Sequence, residues 1–125
     1  MPYSLYTAAT LSLLLIALSL NISRHRLRHR VSFGDGGNPA LTAAIRAHGN
    51  SLEQSLLFLI LLYLLESATA TGAPWLAGLA LTFVGARLLY CAALFGRKRL
   101  LRQVSHGVTM LVLLLSTLML LVPGS

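Results

Sequence analysis

Acidic residues are scarce in this chain: Asp35, Glu53 and Glu66 are the whole complement in 125 residues. Charged residues of both signs reach only 10%, far below the ~25% of a soluble globular domain, while 56% are hydrophobic. An ordinary soluble domain is thereby excluded. Cysteine is nearly absent too, with Cys91 alone. No intrachain disulfide can form and no thiolate metal cluster can assemble, so Cys91 reads as a small packing residue. The four histidines, His25, His29, His48 and His106, are dispersed without zinc-type spacing. No metal site is expected.

The shortage of acids leaves a net charge of +7. Nucleic acid would be the obvious partner if the cations were spread over a groove and interleaved with aromatics, but they are not. Eight of the ten basic residues fall in two tight clusters, Arg24, Arg26, Arg28, Arg30 and Arg97, Lys98, Arg99, Arg102. Each cluster follows an apolar segment, the placement of cytoplasmic loops under the positive-inside rule. Nucleic-acid binding is rejected on that ground. Anionic lipid headgroups are the better partners of the outermost arginines.

What is abundant is apolar length. The chain has room for about four spans of ~20 residues and no more, and no soluble domain is appended. The fold expected is an all-α integral membrane four-helix bundle in a single domain, residues 1–125, with helices near 3–23, 39–66, 74–95 and 101–122. The first segment lacks a basic leader and a small-residue cleavage site, so it stays attached as a span. Between it and the second span a basic loop, Arg24 to Pro39, turns the chain, with Asp35 or Asn38 available as a cap and Pro39 at the first helical position. Ser67 to Ala73 reads as a small-residue turn, and Pro74 with Trp75 opens the third span. Both termini are then on the outer side and both basic loops cytoplasmic.

Organisation centres on Gly34 to Glu66. Its uncharged part, Gln54 to Leu65, is twelve residues long, and at ~1.5 Å per residue it falls well short of a ~30 Å hydrocarbon slab. The polar half must therefore enter the membrane. Arg46, Asn50 and Glu53 follow each other at four and then three residues and share one stripe. Charges at such depth cost several kcal/mol unless they meet a partner, a bundle interior or a wet cavity, which makes the stripe a candidate functional site. The bland alternative is an Arg46–Glu53 pair that snorkels to the headgroups. Arg87 on the third span is another charge near the same end, with Tyr90 and Cys91 one turn on.

GDGGNP, then RAHGNSLE on the second helix, ARLLY on the third and a basic loop before the fourth together resemble the MAPEG superfamily, the membrane-associated proteins in eicosanoid and glutathione metabolism, in its bacterial branch. The resemblance implies a homotrimer in a bacterial inner membrane, with glutathione as cosubstrate held between subunits near the cytoplasmic face. By match to the family's motifs, Arg46, Asn50 and Glu53 hold the tripeptide, Arg87 and Tyr90 are the Arg-x-x-Tyr of helix three, and Arg26 meets the ligand from a neighbouring subunit. His48 stands where relatives carry a polar residue that touches the ligand; lying ~200° around the helix from Arg46, it faces a neighbouring protomer. Gln54 replaces a tyrosine that commonly follows the glutamate, and Leu94 replaces a second aromatic one turn after Tyr90. For catalysis the resemblance implies a guanidinium beside the glutathione thiolate, with Arg102 first and Arg99 second.

The function expected is a glutathione-dependent transferase or peroxidase, acting on a lipophilic electrophile or hydroperoxide that arrives from the bilayer. The alternative is a binding or scaffold protein that keeps the fold without turnover. A small multidrug exporter is the weakest reading, because such a transporter needs an intramembrane carboxylate and the first span has none.

Overall fold

The computed structural model describes residues 3–69 and 74–122. Four helices fill them: α1 Tyr3–His29, α2 Pro39–Ala68, α3 Pro74–Phe95 and α4 Arg99–Leu121. All four are long and apolar enough to cross a membrane, and no strand occurs among the described residues. At ~1.5 Å per residue the 30 residues of α2 extend about 45 Å. That exceeds the ~30 Å slab, so part of α2 projects beyond it or tilts.

Two boundaries differ from those read in the sequence. Residues Arg24 to His29, expected to be loop, continue α1. Arginine is a good helix former, and cations near a helix C-terminus meet the negative end of its dipole, so the end of the apolar run does not end the helix. The stop comes at Arg30, in the left-handed region at φ 55°, with the Val31 amide donating to the Arg26 carbonyl at 3.0 Å. Likewise α4 begins at Arg99, inside the expected second loop. Of the expected turn from Ser67 to Ala73, the first two residues are helical and Thr69 caps α2; the remainder lies outside the described residues.

At the head of α2 the choice of cap is resolved. Asn38 is the N-cap, its Oδ1 accepting from the Leu41 amide at 3.0 Å, and Pro39 follows at the start of the helix. Asp35 closes the preceding turn instead, accepting from the Gly37 amide at 2.9 Å and the Thr42 hydroxyl at 2.8 Å. Gly37 takes φ +71°, which only glycine adopts without strain.

Packing sets α1 against α2 and α3, and α4 against α2 and α3; α1 and α4 do not meet among the described residues. One core joins all four helices through Leu11, Phe58, Leu62, Phe83 and Val112. Phe58 stacks on Phe83 with ring centroids 4.1 Å apart, a contact worth roughly 0.5–1.5 kcal/mol beyond its area. In lipid such close packing, rather than escape from water, holds helices together, and small residues allow it. Ser105, Thr109 and Ser116 supply them on the buried face of α4, each hydroxyl donating back to the carbonyl four residues earlier.

At the end away from the arginines, Glu66 clamps α2 to the start of α1. Its carboxylate accepts from the Ser4 amide at 3.0 Å and the Ser4 hydroxyl at 2.6 Å, placing a negative charge on the positive end of the α1 dipole. Glu66→Ala is expected to cost about 2 kcal/mol, the usual value of charge-assisted hydrogen bonds, read as a lowered midpoint of unfolding in mild detergent. The turn at Asp35 has its own signature. The Gly37 amide and then the Thr42 hydroxyl hold the Asp35 carboxyl below its ordinary value. A depressed folded value means that the turn gains stability above the unfolded value and loses it as the pH falls through the folded one. Amide exchange at Gly37 should therefore be slow relative to the free chain at neutral pH and speed up selectively in acid, an effect Asp35→Asn removes.

Candidate functional site

Register between α2 and α3 builds the site. These helices run in opposite directions, and their polar meeting point is Asn50 with Arg87: the Arg87 Nη1 donates to Asn50 Oδ1 at 2.5 Å and to the Asn50 carbonyl at 3.4 Å. Arg87 is fully buried, and its guanidinium lies over the Tyr90 ring at 4.5 Å. The ring face is electron-rich, so it stabilises a cation that no acid reaches. Nε and Nη2 of Arg87 are buried without a hydrogen-bond partner. Next to this pair, the Ser51 hydroxyl and the Cys91 thiol meet at 3.5 Å.

Two turns from this anchor, ~10 Å along each helix toward the basic end, Ala43 of α2 faces Leu94 of α3. Both line a recess of about 430 Å³. Its walls come from the GDGG turn, the first turns of α2, the end of α3 and the start of α4. Arg46, Arg97, Lys98, Arg99 and Arg102 face it, and Asp35 is the single acid in its lining. Because α4 begins at Arg99, Arg99 and Arg102 lie three residues apart on one helical face. The guanidinium groups of Arg46, Arg99 and Arg102 have no hydrogen-bond partner among the described residues, which leaves them open to a ligand.

The residues singled out in the sequence are thus distributed over distinct places. Arg46, Arg99 and Arg102 converge on the recess. Asn50, Arg87 and Tyr90 form the buried polar anchor below it. Glu53 is exposed on the surface of the single chain and pairs with nothing described, so Arg46 and Glu53 do not bond to each other within it. His48 and Gln54 are half-buried and contribute to neither cluster. Arg26 turns back on its own loop, its Nη1 donating to the Gly34 carbonyl at 2.8 Å.

Three charged lining residues carry no sequence signal strong enough to single them out individually. Asp35 was visible only as a cap. Arg97 and Lys98 were visible only as members of a charged cluster. Arg97 occupies the left-handed region at φ 55°, with the Lys98 amide donating to the Ala93 carbonyl at 2.8 Å and the Arg97 amide to Leu94 at 3.3 Å. This is the Schellman ending of a helix, at a position normally given to glycine.

The anchor can be tested by deletion and repair. Asn50→Leu should cost about 3 kcal/mol by leaving Arg87 with no side-chain acceptor, whereas Asn50→Leu combined with Arg87→Leu should recover most of that loss. Equilibrium unfolding of the two single variants and the double variant in detergent measures the coupling.

Among known proteins, the chain is similar to the inner membrane protein YecN of Escherichia coli strain K12, 40% identical over 55 residues, which are 44% of this chain and 42% of that protein. YecN of E. coli O6:H1 matches to the same extent. The similarity spans less than half the length of these relatives. A model of the MAPEG family, by contrast, matches residues 4–122. With four membrane-spanning helices and a family match over nearly its whole length, the chain belongs to the MAPEG family.

Proposed function

We propose that the protein is a glutathione-dependent transferase or peroxidase of the bacterial inner membrane, acting on a lipophilic electrophile or hydroperoxide. The family includes glutathione transferases and also non-catalytic members. The observation that carries the enzyme reading is the recess, where five cationic side chains face one acid. Glutathione brings two carboxylates, one ammonium and a thiol. Guanidinium forks bind carboxylates in two-point fashion, so Arg46 and Arg97 with Lys98 suit the ends of the tripeptide. A volume of about 430 Å³ is in the range of small-molecule sites.

The chemistry asks for a thiolate. A thiol with a free value of ~8.5 is mostly protonated at neutral pH, and an adjacent cation lowers that value. Arg102, with Arg99 beside it on the same face of α4, supplies the charge. The thiolate sulfur then attacks an electrophilic carbon, an S–C bond forms and the leaving group departs with its electron pair. With a hydroperoxide, sulfur attacks the terminal oxygen, the O–O bond breaks, and the alkoxide takes a proton from water. A second glutathione converts the resulting sulfenic acid to the disulfide and water.

The active unit in this proposal is a homotrimer, with the basic loops cytoplasmic and both termini periplasmic. A neighbouring protomer would cover the exposed Glu53 and bring Arg26, His48 and Gln54 toward the tripeptide. Leu94 favours a second reading, a binding protein without turnover. It lines the recess and has no hydroxyl to offer a thiol.

Adding glutathione to the purified protein should produce absorbance in the thiolate band, which Arg102→Ala abolishes and Arg28→Ala leaves in place. Leu94→Tyr should tighten binding about fivefold, the value of one new hydrogen bond of ~1 kcal/mol. A thermal shift with glutathione but no thiolate band and no conjugation of any electrophile would decide for the binding protein. The absence of any response to glutathione would reject both readings.

A further inference from the structure

A second cavity, of about 470 Å³, lies on the other side of the wall formed by Pro39, Ala43, Leu94 and Arg97. It is a groove between the last turns of α1, the first turns of α2 and the end of α3. Its interior is apolar, built from Ala17, Leu18, Ala40, Ala43, Leu94 and Phe95. Alanines on two of the three helices leave the space open. Its polar end carries Arg24, His25 and Arg97, and no acid lines it.

The cations at that end are not neutralised internally. Arg24 donates from one nitrogen to Asn21 Oδ1 at 3.2 Å, which leaves its other donors free among the described residues. The His25 Nδ1 is buried without a hydrogen-bond partner, and its ring stacks against His29 at 5.9 Å. Arg97 is presented by a left-handed residue where glycine would be easier. Two guanidinium groups and an imidazole lining one end of an apolar trough form the complement of an amphiphile with an anionic head. The groove lies at the end of the helices where the arginines cluster, and there the bilayer itself presents such molecules at high local concentration.

We infer that this groove holds one anionic phospholipid, its phosphate among Arg24, His25 and Arg97 and one acyl chain along the alanine-lined trough. Arginine pairs with phosphate through two parallel hydrogen bonds, which confers preference for a phosphate left accessible by its headgroup. The groove shares Arg97 and Leu94 with the recess, whereas Arg24 and Ala40 line the groove and not the recess, so variants at those two positions test lipid retention apart from glutathione binding.

Native mass spectrometry of the full chain in a neutral detergent tests this, after incubation with phosphatidylglycerol, with phosphatidylcholine, or with glycerol phosphate alone. One phosphatidylglycerol should be retained per chain, with little phosphatidylcholine and no glycerol phosphate. Arg24→Gln should weaken retention about tenfold, the loss expected for a charge-assisted contact. Arg28→Gln, the same charge change at an exposed position on α1, should alter it less than twofold. Ala40→Leu, which fills the trough from α2, should displace the lipid, and Ala17→Leu repeats this from α1. Circular dichroism checks that both variants remain helical. Equal losses in Arg24→Gln and Arg28→Gln would overturn the inference in favour of diffuse surface charge. Retention of glycerol phosphate, with no effect of filling the trough, would reduce it to a phosphate contact and also overturn it. If Ala40→Leu breaks an oligomer while no lipid is retained, a second copy covers the groove and the inference fails.

Discussion

An unneutralised guanidinium buried between helices governs this structure. Among the described residues Arg87 has no acid within reach, so its charge must be accommodated by the two carbonyl oxygens of Asn50 and the face of Tyr90. In a medium without water such a group tolerates few arrangements, because sliding α2 past α3 by one turn would strip its acceptors away. The contact therefore sets register. Once Asn50 and Arg87 are paired, Ala43 and Leu94 must meet two turns nearer the arginines, and the walls of both cavities follow from that meeting.

Hydropathy made the architecture legible. Four apolar runs separated by two arginine clusters leave little choice but four spans, and the start of α2 could be read from Asn38 and Pro39. The end of α1 could not be read the same way. Treating arginines as loop residues confuses where a chain leaves the hydrocarbon with where its helix ends, and α1 continues through Arg24 to His29 into the polar zone.

The candidate site was legible in part, for a similar reason. Spacing put Arg46, Asn50 and Glu53 on one stripe, yet a stripe has width. Asn50 sits at its inner edge and meets α3, while Arg46 opens to the recess and Glu53 to the outside of the chain. Which edge faces in depends on neighbouring helices, and the periodicity of one helix does not encode that. Asp35 illustrates a different limit. Its place in the recess depends on the left-handed glycine at 37 and on Thr42 one turn into α2, which together fold the turn over the end of the bundle.

Just past the ends of two helices of this protein, an arginine takes the left-handed position that glycine usually fills. The left-handed backbone costs an L-residue with a side chain roughly 1–2 kcal/mol relative to its usual region. A programme selecting only for heat resistance would reach Arg30 and Arg97 early, since glycine relieves the strain at both. At Arg30 the exchange would remove one member of a cluster of four. At Arg97 it would take a cation from the shared wall of two cavities at once, so hardiness and ligand capture are opposed at a single backbone angle.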